Sequence, residues 1–127
     1  MVLAASGIIL QNKKILLLKR SNYTERYSGY WGCPGGRAEK GETAEQNAIR
    51  EVKEECNLDF IPTKIIKTGI WQEKKYYRFL GSWSGEIKIQ EMEVIDYNWF
   101  SFSEANKLQL SFDYKEILEI LYDQNLL

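Results

Sequence analysis

Apolar positions divide this chain into strand-like runs on either side of one helical stretch. Val2 to Leu10 is a mostly apolar run with β-branched residues, Gln11-Asn12-Lys13 supplies turn chemistry, and Ile15 to Leu18 is a second apolar run ending in Lys19-Arg20. Together they predict a hairpin of two well-buried strands. Ser21 to Tyr30 is polar and aromatic and contains Gly29, which predicts a loop whose Arg26 and three tyrosines could line a pocket mouth. In Trp31-Gly32-Cys33-Pro34-Gly35-Gly36, Pro34 fixes φ and the two glycines open backbone angles closed to other residues. That segment is expected to bend and to bring bare backbone close to a ligand, although Pro-Gly-Gly is also an ordinary turn.

The period then changes. Thr43, with Gln46 three residues on, fits a capping box that opens a helix, and Glu42 and Glu45 suit the positive end of its dipole. Ala48, Ile49, Val52 and Cys56 recur at helical spacing and predict the buried stripe, and Asn57 can end the helix in the left-handed conformation. Ile61–Trp71, Tyr76–Trp83 and Glu86–Ile89 read as strands, and so does Val94–Phe100, where Ile95, Tyr97 and Trp99 alternate with Asp96 and Asn98. Ser103 is expected to cap a short helix around Glu104–Leu108. A last amphipathic helix runs from about Asp113 to Asp123, burying Ile117, Leu118, Leu121 and Tyr122. This order predicts an α+β fold, with a mixed β-sheet sandwiched between α-helices, in one domain spanning residues 1–127.

Composition removes several chemistries. A formal charge of −1 gives no global field toward a nucleic-acid polymer or an anionic membrane, so neither is expected as a partner. With 0 histidines, the usual neutral-pH general base and the commonest zinc ligand are missing, and acid–base or metal chemistry must rest on carboxylates. Cys33 and Cys56 are too few and too far apart for a zinc site or disulfide framework and read as buried thiols. The N-terminal MVLAASGIILQNKK lacks a basic region before its apolar run, and no apolar run approaches the roughly 20 residues of a membrane span. The expectation is a cytoplasmic protein, monomer or homodimer.

Three carboxylates then decide the reading. Glu51, Glu54 and Glu55 fall within about 100° of helical arc, beside the apolar stripe, with Arg50 placed four residues before Glu54. Like charges at such spacing repel by a few tenths of a kcal/mol, and a bound divalent cation would reverse that sign. A solvated acidic face is the alternative.

The stretch Gly36–Leu58, GRAEKGETAEQNAIREVKEECNL, resembles the Nudix box, G-x(5)-E-x(7)-R-E-U-x-E-E-x-G-U with U aliphatic. Gly36, Glu42, Arg50, Glu51, Val52, Glu54, Glu55 and Leu58 match, so eight of nine defined positions agree, with Asn57 in place of the family's glycine. Trp31-x-x-Pro34-Gly35 is similar to the family's lead-in. The resemblance implies a Nudix fold and a hydrolase of nucleoside diphosphates linked to another moiety, using Mg²⁺ or Mn²⁺. It implies that Glu51, Glu54, Glu55 and the Gly35 carbonyl hold metal, that Glu51 (or else Glu54) is the base, and that Arg50 orients the glutamates. Gly36 and Glu42 would support the loop from behind. One acidic residue from outside the box, Glu93 in preference to Glu91, would join the metal. Arg20 sits where many members carry a basic residue near the substrate phosphates.

The substrate is less legible. Trp71, Tyr77 or Phe79 could stack on a base, with Arg78 on a phosphate or base edge, although aromatics alternating on a strand are commonly core. The lead-in and the small size look most similar to MutT-type members, which implies a (d)NTP pyrophosphohydrolase releasing a nucleoside monophosphate and pyrophosphate. The other readings are a pyrophosphatase for nucleotide sugars, ADP-ribose or dinucleoside polyphosphates, and a non-catalytic nucleotide-binding regulatory module. Activity is expected to peak at alkaline pH.

Overall fold

The computed structural model describes residues 2–127; Met1, with which the expected domain span begins, lies outside them. The chain forms two compact units, residues 2–9 with Pro34–Lys88, and Leu10–Cys33 with Ile89–Leu127.

The first unit holds a four-stranded mixed sheet and the long helix. Its strands are β1 (Val2–Ile8), β5 (Gly35–Arg37), β6 (Asp59–Trp71) and β7 (Lys74–Ser84), in the order β5-β1-β7-β6. β1 runs parallel to β7 and antiparallel to β5, with Ser6 opposite Gly35 and Ala4 opposite Arg37. The helix α1 (Ala44–Cys56) packs on β1, β6 and β5. Its start is the predicted capping box: Gln46 N–H donates to Thr43 Oγ1 at 3.1 Å and Thr43 N–H to Gln46 Oε1 at 3.0 Å. Its end is Asn57 at φ 66°, in the left-handed region, with Asn57 Nδ2 donating to Glu86 O at 3.1 Å. Ala44, Ala48, Val52, Cys56, Leu58, Phe60 and Phe79 are buried with it.

The second unit is built on β3 (Lys14–Arg20), which pairs with β2 (Leu10–Gln11), β4 (Trp31–Gly32) and β8 (Val94–Phe100). Two short helices, α2 (Phe102–Ala105) and α3 (Tyr114–Asp123), complete it. Ile15, Leu16, Leu17, Leu18, Val94, Ile117, Leu118 and Leu121 are buried here. The α+β class with mixed strand pairing therefore stands, in two sheets.

Several expectations are corrected. The Val2–Leu10 run is not one arm of a hairpin: only Leu10–Gln11 pairs back onto β3, across Asn12 and Lys13 at φ 52° and 62°. Its first seven residues enter the other sheet, where β5 and β7 flank both edges of β1. Glu86–Ile89 is not a strand. Gly85, at φ 105°, turns the chain away from the sheet, and the Glu86 carbonyl and Lys88 N–H bond to Asn57 and the Cys56 carbonyl at the end of α1.

The segment Gly35-Gly36 is strand rather than bend, and neither residue has positive φ. Ile49 is 40% exposed, because it points to the flank of α1 while Asn47 and Glu55 turn inward. Ile95 and Tyr97 of β8 are exposed as well. The cap of α2 is Ser101, not Ser103, because Ser101 and Glu104 bond each other's backbone N–H and start the helix earlier. In α3 Tyr114 is buried, while Tyr122 is 52% exposed and stacks on Phe102 at 4.2 Å. Cys33 and Cys56 are buried and not joined in a disulfide, and burial is the expectation for both.

Candidate functional site

The glycine segment and α1 meet through a line of polar side chains. Asn47, Glu51 and Glu55 are four residues apart, so successive turns bring them to one stripe of the helix. That stripe faces β5. Asn47 Nδ2 donates to the Gly36 carbonyl at 3.2 Å, and the Gly35 N–H donates to Glu55 Oε2 at 2.7 Å. A Cβ built on Gly36 would come within 2.8 Å of the Glu51 carboxyl carbon, so the missing side chain is what lets that carboxylate lie on the β5 backbone. A Cβ on Gly35 would instead strike the opposite wall, 2.5 Å from Ser6 Cβ and 2.7 Å from the Ala5 carbonyl.

Arg50 ties the carboxylates together. Its Nε donates to Glu42 Oε2 at 2.7 Å and its Nη2 to Glu42 Oε1 at 3.0 Å, a two-pronged pair. Nη1 donates to Glu51 at 2.9 Å and to Glu54 at 3.0 Å, and Nη2 also reaches the Arg37 carbonyl at 2.9 Å. One guanidinium thus fastens the end of β5 (Arg37) and the loop after it (Glu42) to the helix (Glu51, Glu54). The Glu42 side chain is 14% exposed and closes the knot by accepting from the Glu39 N–H at 2.8 Å. The hydrogen bonds from Arg50 hold the Glu42 carboxyl below its ordinary value, and Glu42 in turn pushes the Arg50 guanidinium higher. Burial pushes Glu51 up, against the pull of hydrogen bonds from Glu55 and Arg50. Cys56, buried just past this stripe, has its thiol pushed up to about 12 by burial.

The donors suit a hard divalent cation: they are carboxylate and carbonyl oxygens, with no competing imidazole. Glu51 and Glu55 lie one helical turn apart on the same stripe of α1, a like-charge pair that a bound cation would stabilise. Among the described residues no three acidic or thiol side chains converge into a ready-made metal cluster. Arg50 holds the carboxylates of Glu51 and Glu54, and of these only Glu54, 55% exposed at its side chain, opens widely to solvent.

The remaining predicted residues lie elsewhere. Arg78, on β7, is buried, donates to Ser6 Oγ at 3.2 Å and lies over the Tyr76 ring at 4.9 Å. Tyr77 is one residue away and so faces the other side of the sheet, the α1 side, stacked on Phe79 at 5.8 Å. Tyr76 and Lys67 share Arg78's face, with the Lys67 ammonium 5.5 Å from the Tyr76 ring centre. Alternation in the sequence contains this parity; choosing it required the register. Trp71, 42% exposed, ends β6 beneath the Lys74 ammonium.

Arg20 and Glu93 belong to the second unit. Arg20 Nε donates to the Arg26 carbonyl at 3.0 Å, and its guanidinium lies 5.4 Å from the Phe112 ring centre. Glu93 follows Glu91 in an exposed turn, where its carbonyl accepts from the Ser21 N–H at 2.8 Å. Asn47 was not foreseen. Its signal was a lone amide among the helix's inward positions, four residues before Glu51.

Comparisons with known proteins show the family and the fold. The family model described as NUDIX domain matches residues 1–121. The ADP-ribose pyrophosphatase of Methanocaldococcus jannaschii is 33% identical, over 91% of this chain and 70% of its own length. A Bacillus subtilis protein provisionally named 8-oxo-dGTP diphosphatase is also 33% identical, over 74% of this chain, which spans only 62% of that protein's length. Among solved structures, the MutT NUDIX hydrolase of Burkholderia pseudomallei superimposes with a TM-score of 0.83 at 22% identity, covering 94% of this chain and 97% of that one. No helix among the described residues is long and apolar enough to cross a membrane. With the box residues joined around Arg50 and the domain model matched along nearly the whole chain, the protein belongs to the Nudix family of hydrolases, whose chemistry is the cleavage of phosphoric anhydrides.

Proposed function

We propose that this chain hydrolyses a nucleoside diphosphate linked to a second moiety, with Mg²⁺ or Mn²⁺, and that its substrates are (d)NTPs, cleaved to a nucleoside monophosphate and pyrophosphate. The observation that carries the reading is the knot of Glu42, Glu51 and Glu54 on Arg50, beside a glycine segment held by Asn47 and Glu55. Glu51, Glu54, Glu55 and the Gly35 carbonyl would hold the cation, which when bound supplies charge neutralisation at the anhydride and a more acidic water. Arg50 sets the carboxylates in position, and Glu42 and Gly36 support that arrangement. Glu51, seated against Gly36, would take the proton from the attacking water. Arg78, on the face it shares with Tyr76, would meet the nucleotide. The roles of Arg20 and Glu93 rest on the resemblance alone, and that of Tyr77 on the fit of an aromatic face to a flat base.

A second reading, ADP-ribose as substrate, is favoured by the name of the archaeal relative. A panel of (d)NTPs, oxidised dGTP, ADP-ribose, nucleotide sugars and dinucleoside polyphosphates, in Mg²⁺ and in Mn²⁺ with products identified, separates the two. Nucleotide binding with no turnover anywhere on the panel would establish a regulatory module instead. Glu54→Gln and Glu55→Gln are each expected to lower the rate by orders of magnitude with the fold retained by circular dichroism. Wild-type rates in both variants would sink the metal assignment.

A further inference from the structure

We infer that Asn47 is a positioning residue for this site, retained at a cost in stability; the inference rests on the proposed metal-dependent reading. Asn47 is 0% exposed and sits on α1, where a helix built for stability alone would carry an alanine or another apolar residue. Only half of its amide is used. Nδ2 donates to the Gly36 carbonyl at 3.2 Å, whereas Oδ1 is the one buried side-chain polar atom among the described residues with no hydrogen-bond partner. Turning the amide over would set two oxygens against each other at Gly36, so the orphaned atom is the oxygen in the arrangement that keeps the bond. A buried polar atom without a partner weakens the fold.

What the side chain accomplishes is visible on the other side of the bond. Gly35-Gly36 is held at two points by one stripe of α1, at the Gly35 N–H by Glu55 and at the Gly36 carbonyl by Asn47. The Gly35 carbonyl lies between those clamps, and Glu51 lies against Gly36 one helical turn beyond Asn47. Asn47 therefore sets the register between the glycine backbone and the carboxylates of the helix. Deleting it frees one end of that backbone while removing an unsatisfied polar atom from the interior.

Stability and function are therefore expected to part company. Asn47→Ala, and the nearly isosteric Asn47→Leu as a second variant, should melt at or above the wild-type temperature. Peptide-resolved hydrogen exchange over residues 34–38 should be faster in both. Mn²⁺ binding, followed by the loss of the free-ion electron paramagnetic resonance signal, should weaken by about 10- to 100-fold, and kcat should fall by a similar factor with KM for the nucleotide little changed. Unchanged Mn²⁺ affinity and exchange in variants that fold would overturn the inference. So would a lowered melting temperature with activity lost only in proportion to unfolding, which is the signature of ordinary packing. If the wild-type protein itself binds no Mn²⁺, the metal-dependent reading falls first and this one with it.

Discussion

Gly35 and Gly36 are adjacent, yet each is required by a different neighbour. Alanine at 35 would push its Cβ to 2.7 Å from the Ala5 carbonyl, and fixed backbone cannot yield without moving β1. Gly35→Ala is expected to cost about 1–3 kcal/mol of stability, read by chemical denaturation. Alanine at 36 meets only the end of the Glu51 side chain, at 2.8 Å, and that end can swing away. Gly36→Ala should leave stability within about 1 kcal/mol, because the smaller unfolded-state freedom of alanine offsets a weakened hydrogen bond between Arg50 and Glu51. It should nevertheless lower kcat by about 10- to 100-fold, since Glu51 can no longer lie against the loop. Equal effects on stability would mean that one common constraint, and not two walls, selects glycine here. The same scale shows where side chains elude a linear reading: Tyr77 and Arg78 are neighbours in sequence and point to opposite faces, and only the pairing of β7 with β1 and β6 tells which face is which.

Elements with self-contained chemistry were legible. The capping box of Thr43 and Gln46 needs only residues three apart, and the left-handed Asn57 follows from what an asparagine can tolerate. Glu54 meets Arg50 because the helix period sets residues four apart side by side, and Glu51 is its neighbour in the chain. What depended on distant partners was not legible. Val2–Ile8 looks like half a hairpin until β5 and β7 are seen to claim its edges, and Glu86–Ile89 looks like a strand until α1 claims its hydrogen-bonding groups. The helix end yields a test of its own. Asn57→Ala should cost about 1–2 kcal/mol, the penalty of a Cβ residue at φ 66° with no side chain to reach Glu86. Asn57→Gly relieves the backbone while losing that bond, and should fall within about 0.5 kcal/mol of wild type. If alanine is as well tolerated as glycine, conformation is not what selects residue 57.

At the scale of the whole molecule, acid stability is set by carboxylates that folding makes more acidic, and each unit has one. Hydrogen bonds from Arg50 lower Glu42 in the first unit, and the Ser101 N–H in the capping box of α2 lowers Glu104 in the second. The sign is the same for both. The folded protein releases the proton more readily than the unfolded chain, so stability is fully present above the ordinary carboxylate value, near 4.3, and drains away as pH falls through the lowered one. The two sites differ in what glutamine can replace. Glutamine serves the third position of a capping box nearly as well as glutamate, so Glu104→Gln should change little at pH 7. Glutamine at 42 cannot offer Arg50 two charged oxygens, so Glu42→Gln should cost about 1–2 kcal/mol at pH 7. Below the lowered value wild-type Glu42 is itself neutral, and the gap to Glu42→Gln should close. Urea melts of wild type and both variants from pH 7 down to about 2.5 test this directly. A constant gap for Glu42→Gln across that range would mean that the knot around Arg50 is held by shape and not by charge, and the orientation it gives Glu51 and Glu54 would then need another origin.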